Sequence, residues 1–426
     1  SPKLAEVKAV YQNVGFKEGN ICGHSIFIKN KFQFTNLADY DCIWYITKDG
    51  VEIKRGFMLL DLRPGEEGMF VIPFDDPDDP ECEFILNISI QLRERTIWAD
   101  AGHEIAFAQF VIPQKKPKKQ IPAKTPSFDT DNEKVTVNCS GNTQIVFSKK
   151  TGLLISYCFK GRELLREPLT PNFYRAWTDN DRGNQMPRRC EAWVENSKTR
   201  KLTDFSLDMS EKGFIGIKTS FKLPDGPRIR GDMYGGWVGE LYINYKIADS
   251  GEVIVTERIN PNSNLYEMPA FGMRLIADKS FDQIKWYGNG PHETAWDRKK
   301  GAKIGIYGGS VREQFVPYLK PQECGTKTDV RFAYLTDESG LGLKFKGDTF
   351  DFSVFEWDND EIINAMHEYE LPESDKTVMY INYRQSGVGG DTSWGTLAHP
   401  EFMLSCDKEY KYTFSFCGVD ETKRRK

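Results

Sequence analysis

The sequence has little of what several large function classes require. Among its 426 residues there is no apolar run near the roughly 20 residues of a bilayer-spanning helix, and the mean hydropathy is −0.53. No membrane span is expected. Positive charge is not in excess: 57 Lys and Arg stand against 62 Asp and Glu, a net charge of −5. That balance argues against the broad basic face of a nucleic-acid platform. Only five histidines occur (His24, His103, His292, His367 and His399), none at zinc-ligand spacing. The nine cysteines lie singly with no C-x-x-C pair. An odd count in a large, core-rich chain favours reduced thiols over a disulfide framework, which puts cytoplasmic residence ahead of periplasmic. The opening Ser1-Pro2-Lys3-Leu4 is consistent with a removed leader or with the cut edge of a longer protein.

What is present is period-two alternation. Aromatic residues reach 13%, and short runs rich in β-branched and aromatic side chains sit between Gly, Asn, Asp and Pro, the pattern of strands. Tyr410, Tyr412, Phe414 and Phe416 alternate with polar residues, as do Ile26, Ile28, Phe32 and Phe34 across a short break. Asp49-Gly50, between Trp44-Tyr45-Ile46 and Val51-Glu52-Ile53, predicts a hairpin with a type I′ turn, which needs positive φ at both central residues. The best helix candidate, Leu4–Tyr11, is short. The chain reads as all-β.

One boundary is plain. Residues 113–126 hold four prolines and five lysines without an aromatic, and proline stiffness with like-charge repulsion predicts an extended linker. Residues 15–112 have the size of one immunoglobulin-like β-sandwich. Residues 127–420 are too many for a second small sandwich and predict a large antiparallel one, two broad sheets hiding each other's apolar faces. Residues 421–426 form a basic tail.

Four stretches break the strand pattern. Trp177 to Gly183 is rich in Asp and Asn, which bond their own backbone, and predicts a structured turn leading into a mobile loop. Trp286 to Arg298 has two glycines without G-x-G-x-x-G spacing, so a buried acid–Arg pair involving Glu293, Asp297 and Arg298 is the expected content. Pro317 to Gly325 is a proline-framed irregular segment. Gln385 to Gly395 places one indole, Trp394, on a glycine-rich loop. An aromatic face suits the C–H face of a sugar, or else plugs a domain or subunit contact.

Taken in order, these stretches resemble the C-terminal region of glycoside hydrolase family 2 β-galactosidases of the large bacterial type. F-x-R-A-x-x-D-N-D-x-G corresponds to Phe173–Gly183, and G-x-G-P-x-E-x-x-x-D-R to Gly288–Arg298. Y-x-x-P-x-E-x-G is approximated by Tyr318–Gly325, and G-x-G-G-D-x-S-W corresponds to Gly387–Trp394. Asn30–Leu37 and Thr96–His103 resemble that family's domain after the catalytic barrel, and residues 1–14 the segment leaving it. The resemblance implies a large sandwich of the galactose-mutarotase type and a retaining mechanism with two glutamates in a (β/α)₈ barrel preceding Ser1. The chain by itself is then expected to be inactive, with no catalytic residue, completing the substrate pocket and supporting assembly.

By the same resemblance, Trp394 is the aglycone platform. Gly183 is the hinge of a segment closing over galactoside, since glycine absorbs large φ/ψ changes, and Asp179, Asn180 and Asp181 set the hinge geometry. Asn382 stands where relatives often carry Asp, which bears on aglycone preference. Family magnesium and sodium ions are expected mainly in the barrel, with none essential in this chain. The implied partners are the N-terminal and barrel domains of the same enzyme, a β-galactoside such as lactose, and further copies in a homo-oligomer. Two alternatives are a stand-alone galactoside-binding module and a mutarotase-type isomerase. The latter needs a His acid and a carboxylate base, and His292 beside Glu293 would face the opposite way in a strand.

Overall fold

A computed structural model describes residues 2–21, 24–77, 79–114, 122–224, 237–392 and 395–421. The basic run at 422–426 and residues 115–121 of the proline–lysine segment lie outside the described residues. The chain divides into two compact units. One comprises residues 1–119 with 289–292 and 300–306, and the other the remainder.

The first unit opens with a short helix, α1 (Lys3–Val10), where a helix was expected. Seven strands follow: β1 (Val14–Glu18), β2 (Ser25–Asn30), β3 (Tyr40–Lys48), β4 (Val51–Met58), β5 (Glu67–Val71), β6 (Phe84–Leu92) and β7 (Glu104–Ile112). They form a three-stranded sheet, β1-β2-β5, and a four-stranded sheet, β4-β3-β6-β7. Val14, Ile26, Ile28, Trp44, Ile46, Leu86, Ile88 and Ile90 share the core of the unit, each contributing about 1.5–3 kcal/mol if fully buried. The β3–β4 connection has φ 47° at Asp49 and 81° at Gly50, the two positive values a type I′ turn demands.

The alternation through Phe34 does not continue the strand. β2 stops at Asn30, whose buried Nδ2 donates to the carbonyls of Thr35 (2.9 Å) and Leu62 (2.8 Å), while its Oδ1 accepts from the Phe32 amide. The Asn side chain thus supplies local partners in place of a ladder and turns the backbone, leaving Phe34 exposed.

In the second unit, β8 (Ser127–Thr130), β9 (Lys134–Cys139), β10 (Thr143–Ser148), β11 (Leu154–Phe159) and β12 (Arg162–Glu163) form a five-stranded meander. The large sheet takes β13 (Thr170–Asn172), β14 (Lys201–Asp208), β15 (Phe214–Pro224), β16 (Trp237–Ala248), β17 (Val253–Pro261), β18 (Ala270–Asp278), β19 (Gln283–Gly290), β20 (Lys303–Ser310), β21 (Lys327–Thr336), β22 (Leu341–Phe355), β23 (Lys376–Gln385) and β24 (Tyr410–Asp420). Its main path runs β13-β18-β23-β22-β24-β17-β16-β15-β14, and β21 joins β22 to β19. Val135, Ile145, Phe147 and Tyr157 of the meander and Ile217, Ile243, Tyr245, Val255, Phe414 and Phe416 of the large sheet belong to one hydrophobic core. The alternating tyrosines and phenylalanines of β24 all point into it. A second apolar cluster, with Phe315, Cys324, Phe355 and Trp357, contains the opposite-facing Phe355 of β22. The fold is all-β: a seven-stranded sandwich and a large antiparallel supersandwich.

The helices of this unit are brief: α2 (Asp179–Gly183), α3 (Met186–Arg189), α4 (Glu191–Lys198) and α5 (Asn359–Asn364). Two of them, α2 and α3, occupy the stretch read from sequence as a turn and a mobile loop, and α4 follows directly. Met186, Cys190, Ala192 and Trp193 are buried in the main core, and that packing holds helices too short to be stable alone. Among the described residues no helix is long and apolar enough to cross a membrane.

Candidate functional site

All four irregular stretches adjoin strand ends of the second unit: after β13, after β19, before β21 and after β23. Their residues converge on one buried polar assembly centred on Arg175, which is 1% exposed. Its Nη2 donates to Asp181 Oδ1 at 2.9 Å and to the Gly387 carbonyl at 3.1 Å, and its Nη1 donates to the Ser386 carbonyl at 2.8 Å. A fully buried guanidinium costs several kcal/mol to desolvate, and only a paired carboxylate with further hydrogen bonds offsets that.

Asp181 is available for this because it sits at the third position of α2. Thr178 Oγ1 accepts the Asp181 amide (3.1 Å) and Asp181 Oδ2 accepts the Thr178 amide (2.9 Å). This reciprocal capping box satisfies two donors that a helix start leaves free and aims Asp181 Oδ1 at Arg175. Asn180, one residue earlier, donates through Nδ2 to the Val388 carbonyl at 3.0 Å. Asp179 faces the third stretch: its amide donates to Gln322 Oε1 at 3.2 Å. Gly183 closes α2 and meets Gly395 at van der Waals distance, with 3.5 Å from a Cβ position on Gly183 to Gly395 Cα.

The second stretch braces the same glycine-rich loop from another side. Asp297 Oδ1 accepts the Val388 amide (3.1 Å) and Oδ2 the Gly389 amide (2.8 Å). A side chain on Gly387 would put its Cβ 2.6 Å from Asp297 Oδ2, so the carboxylate fits only against bare backbone. Glu293, its side chain 2% exposed, accepts from Arg298 Nη2 at 2.6 Å, from Tyr318 Oη at 2.5 Å and, through Oε2, from the Gly325 amide at 2.9 Å. The acid–Arg pair expected in this stretch is therefore Glu293–Arg298, and Asp297 instead holds backbone amides. Burial and the neighbouring Glu293 carboxylate raise the Tyr318 phenol.

Beside them lies Glu323, whose Oε1 accepts from Thr326 Oγ1 at 2.5 Å. Burial pushes its carboxyl up to about 7. Lys327, also buried, donates to the Gly325 carbonyl at 2.9 Å and lies 5.2 Å from the centre of the Trp286 ring. Burial brings its ammonium down to about 8. A small crevice of about 10 Å³ is lined by Asn180, Asp181, Asn184, Glu267, Ser386 and Gly387, among others. It has room for one water molecule, and a sugar ring does not fit. Among the described residues no group of three or more His, Cys, Asp or Glu is placed to hold a metal ion.

The geometry thus brings together Asn180, Asp181, Gly183 and Asp297 around the loop that begins at Gln385, and places Glu293 with Arg298 and Asp179 with Gln322 at its flanks. Ser393 and Trp394 lie outside the described residues. Sequence reasoning gave no role to Arg175 or Glu323. The signal was in the pattern, since an Arg inside the apolar run Phe173–Trp177 must find an acid once that run is buried.

Such an assembly of loops, braced at strand ends of a broad antiparallel sheet, marks a supersandwich protein whose irregular segments pack against one another at those ends. The chain belongs to the beta galactosidase small chain family, whose model matches residues 139–416. A second model, beta-galactosidase domain 4, matches residues 26–113. A β-galactosidase of Priestia megaterium is 36% identical over 419 residues, covering 97% of this chain and 39% of the relative. One from Lactobacillus delbrueckii subsp. bulgaricus is 34% identical over 414 residues, with 96% and 39% covered. The chain therefore spans about two fifths of the length of these curated relatives. Among solved structures, a galactose mutarotase-like protein from Clostridium acetobutylicum aligns over 69% of this chain and 98% of its own, at a TM-score of 0.39 and 10% identity.

Proposed function

We propose that this chain is the non-catalytic C-terminal part of a retaining β-galactosidase of glycoside hydrolase family 2. In this reading its supersandwich completes the substrate pocket and supports assembly, while hydrolysis of the β-galactoside is carried out by two glutamates in a barrel outside these residues. The observation that carries the reading is the coverage: 97% of the chain aligns with 39% of a β-galactosidase. The all-β architecture of both units supports it, since a (β/α)₈ barrel needs alternating strands and helices.

Trp394 is the residue proposed to meet the aglycone sugar, on a loop whose base is held by Arg175, Asn180 and Asp297. Gly183 and the α2 turn are proposed to set the position of the segment that closes over it. No ion is proposed to be essential within this chain. Purified 426-residue chain should leave a chromogenic galactoside intact, and robust turnover would overturn the reading. In the full-length enzyme, Trp394→Ala should weaken aglycone binding by about 1–3 kcal/mol, the scale of a lost aromatic contact. Unchanged kinetics with lactose and acceptor sugars would remove Trp394 from the site.

A further inference from the structure

Three neighbouring side chains on the large sheet bury polar atoms that no protein group satisfies. Asn382 of β23 is 0% exposed, and Asp351 and Ser353 of β22 are each 1% exposed. Asn382 and Asp351 are direct partners in the β22–β23 ladder, so their side chains leave the sheet on the same face, with Cβ atoms about 4.5–5.5 Å apart. Ser353 is two residues along β22 and shares that face. Phe350, Phe352 and Val354 belong to the main hydrophobic core, and the strand alternation sends Asp351 and Ser353 to the other side. Asp351 Oδ2, Ser353 Oγ and both Oδ1 and Nδ2 of Asn382 have no hydrogen-bond partner.

The remaining atoms of the neighbourhood are well paired. Asp351 Oδ1 accepts from Arg384 Nη1 at 2.6 Å and from the Asp329 amide at 3.1 Å. Arg384 Nη2 donates to Asp329 Oδ1 at 3.1 Å, and Lys299 Nζ to Asp329 Oδ2 at 2.6 Å. The carboxylates of Asp351 and Asp329 therefore face the cations of Arg384 and Lys299, with Arg331 donating to the Asp329 carbonyl, so no added cation is needed for charge balance. On the third strand of this register stands Gly272, paired with Asn382. A Cβ there would lie 2.4 Å from Asn382 Oδ1, so the glycine leaves room for the amide.

We propose that Asn382, Asp351 and Ser353 hold an ordered water molecule buried between β22 and β23. Four orphan polar atoms buried together would each carry the full desolvation penalty of an unmade hydrogen bond in a dry site, and buried waters characteristically make about three hydrogen bonds to such groups. The chemistry selects water over a cation. A metal ion would satisfy the three oxygens but leave the Asn382 N–H donors without an acceptor, whereas water accepts from Nδ2 and donates to Asp351 Oδ2. The bridge fixes the two strands just before Arg384 and the start of the glycine-rich loop, and it does not depend on the proposed galactosidase role.

A high-resolution crystal structure of the chain decides the matter. The expected result is a well-ordered peak about 2.7–3.2 Å from Asn382, Asp351 and Ser353. In Asn382→Leu the peak should be lost and the melting temperature should fall by about 2–4 °C. Empty density in the wild type, direct pairing among the three side chains, or an anomalous signal at the site after a rubidium soak would each overturn the proposal. So would a peak that persists unmoved in Asn382→Leu.

Discussion

Gly183 and Gly395 meet backbone to backbone: a Cβ on Gly395 would lie 2.7 Å from the Gly183 carbonyl oxygen. The end of the α2 turn and the end of the glycine-rich loop are thus in direct contact, without a side chain between them. The two positions are not equivalent. Gly395 has φ +99°, a conformation L-residues rarely adopt, while on Gly183 a Cβ would meet only ordinary contacts at 3.5 Å.

Gly395→Ala should therefore destabilise the unit by about 1–3 kcal/mol, combining backbone strain with the clash. Gly183→Ala should leave the melting temperature near that of the wild type. Thermal unfolding of the two variants side by side checks this, and equal losses would contradict the asymmetry.

Arg175 and Asp181 form an ion pair whose side chains are 1% and 2% exposed. Asp181→Ala leaves the guanidinium buried without its acid and also removes the capping box. A loss of about 3–5 kcal/mol is expected, the range for breaking a buried pair. Denaturant unfolding gives the value, and a cost below about 1 kcal/mol, the range of surface pairs, would show that solvent reaches Arg175.

Asp297 acts locally. Asp297→Ala frees the amides of Val388 and Gly389, each held by a charge-assisted bond. Hydrogen exchange at residues 388–389 should accelerate at least tenfold, while the core strands β16 and β17 keep their protection. Unchanged exchange at 388–389 would mean that Arg175 and Asn180 hold the loop without it.

Glu323 makes stability depend on pH in the direction opposite to a salt-bridged acid. Burial raises its carboxyl from the ordinary 4.5 to about 7. Below both values folded and unfolded chains carry the same proton and the group contributes nothing. Between them the unfolded chain has lost a proton that the fold retains, so stability falls as pH rises from about 4.5 to 7 and is level above. The fall is on the order of 3 kcal/mol. Glu323→Gln should reduce that slope and be the more stable protein at pH 8, leaving the slopes of Asp351, which burial raises to about 6, and of Glu257, which burial raises well above the usual carboxylate range. Melting temperatures across pH 4–8 for both proteins are the measurement, and parallel curves would sink the assignment.

Strand identity was legible wherever alternation met burial. The β24 row Tyr410, Tyr412, Phe414 and Phe416 had one side to hide, and the Asp49-Gly50 turn had one backbone shape that suits a two-residue hairpin. The same rule failed at Phe34, because the Asn30 side chain ended the ladder with bonds to residues 35 and 62, a partner 32 positions away. It also passed over α3 and α4, where Met186 and Trp193 become helical through the core they enter.

The candidate site divides the same way. Alternation and turn chemistry are local properties, so they specified an all-β chain and marked four irregular stretches, the second of which nevertheless begins inside β19, a strand that runs to Gly290. That Arg175 reaches Asp181, that Asp297 rather than Glu293 holds the loop amides, and that Gly183 touches Gly395 depend on residues up to 212 positions apart, as in the bond from Arg175 to Gly387. Such pairings exist only once the sheet has set its strand order, because a buried charge takes whichever acid the closed fold delivers to it.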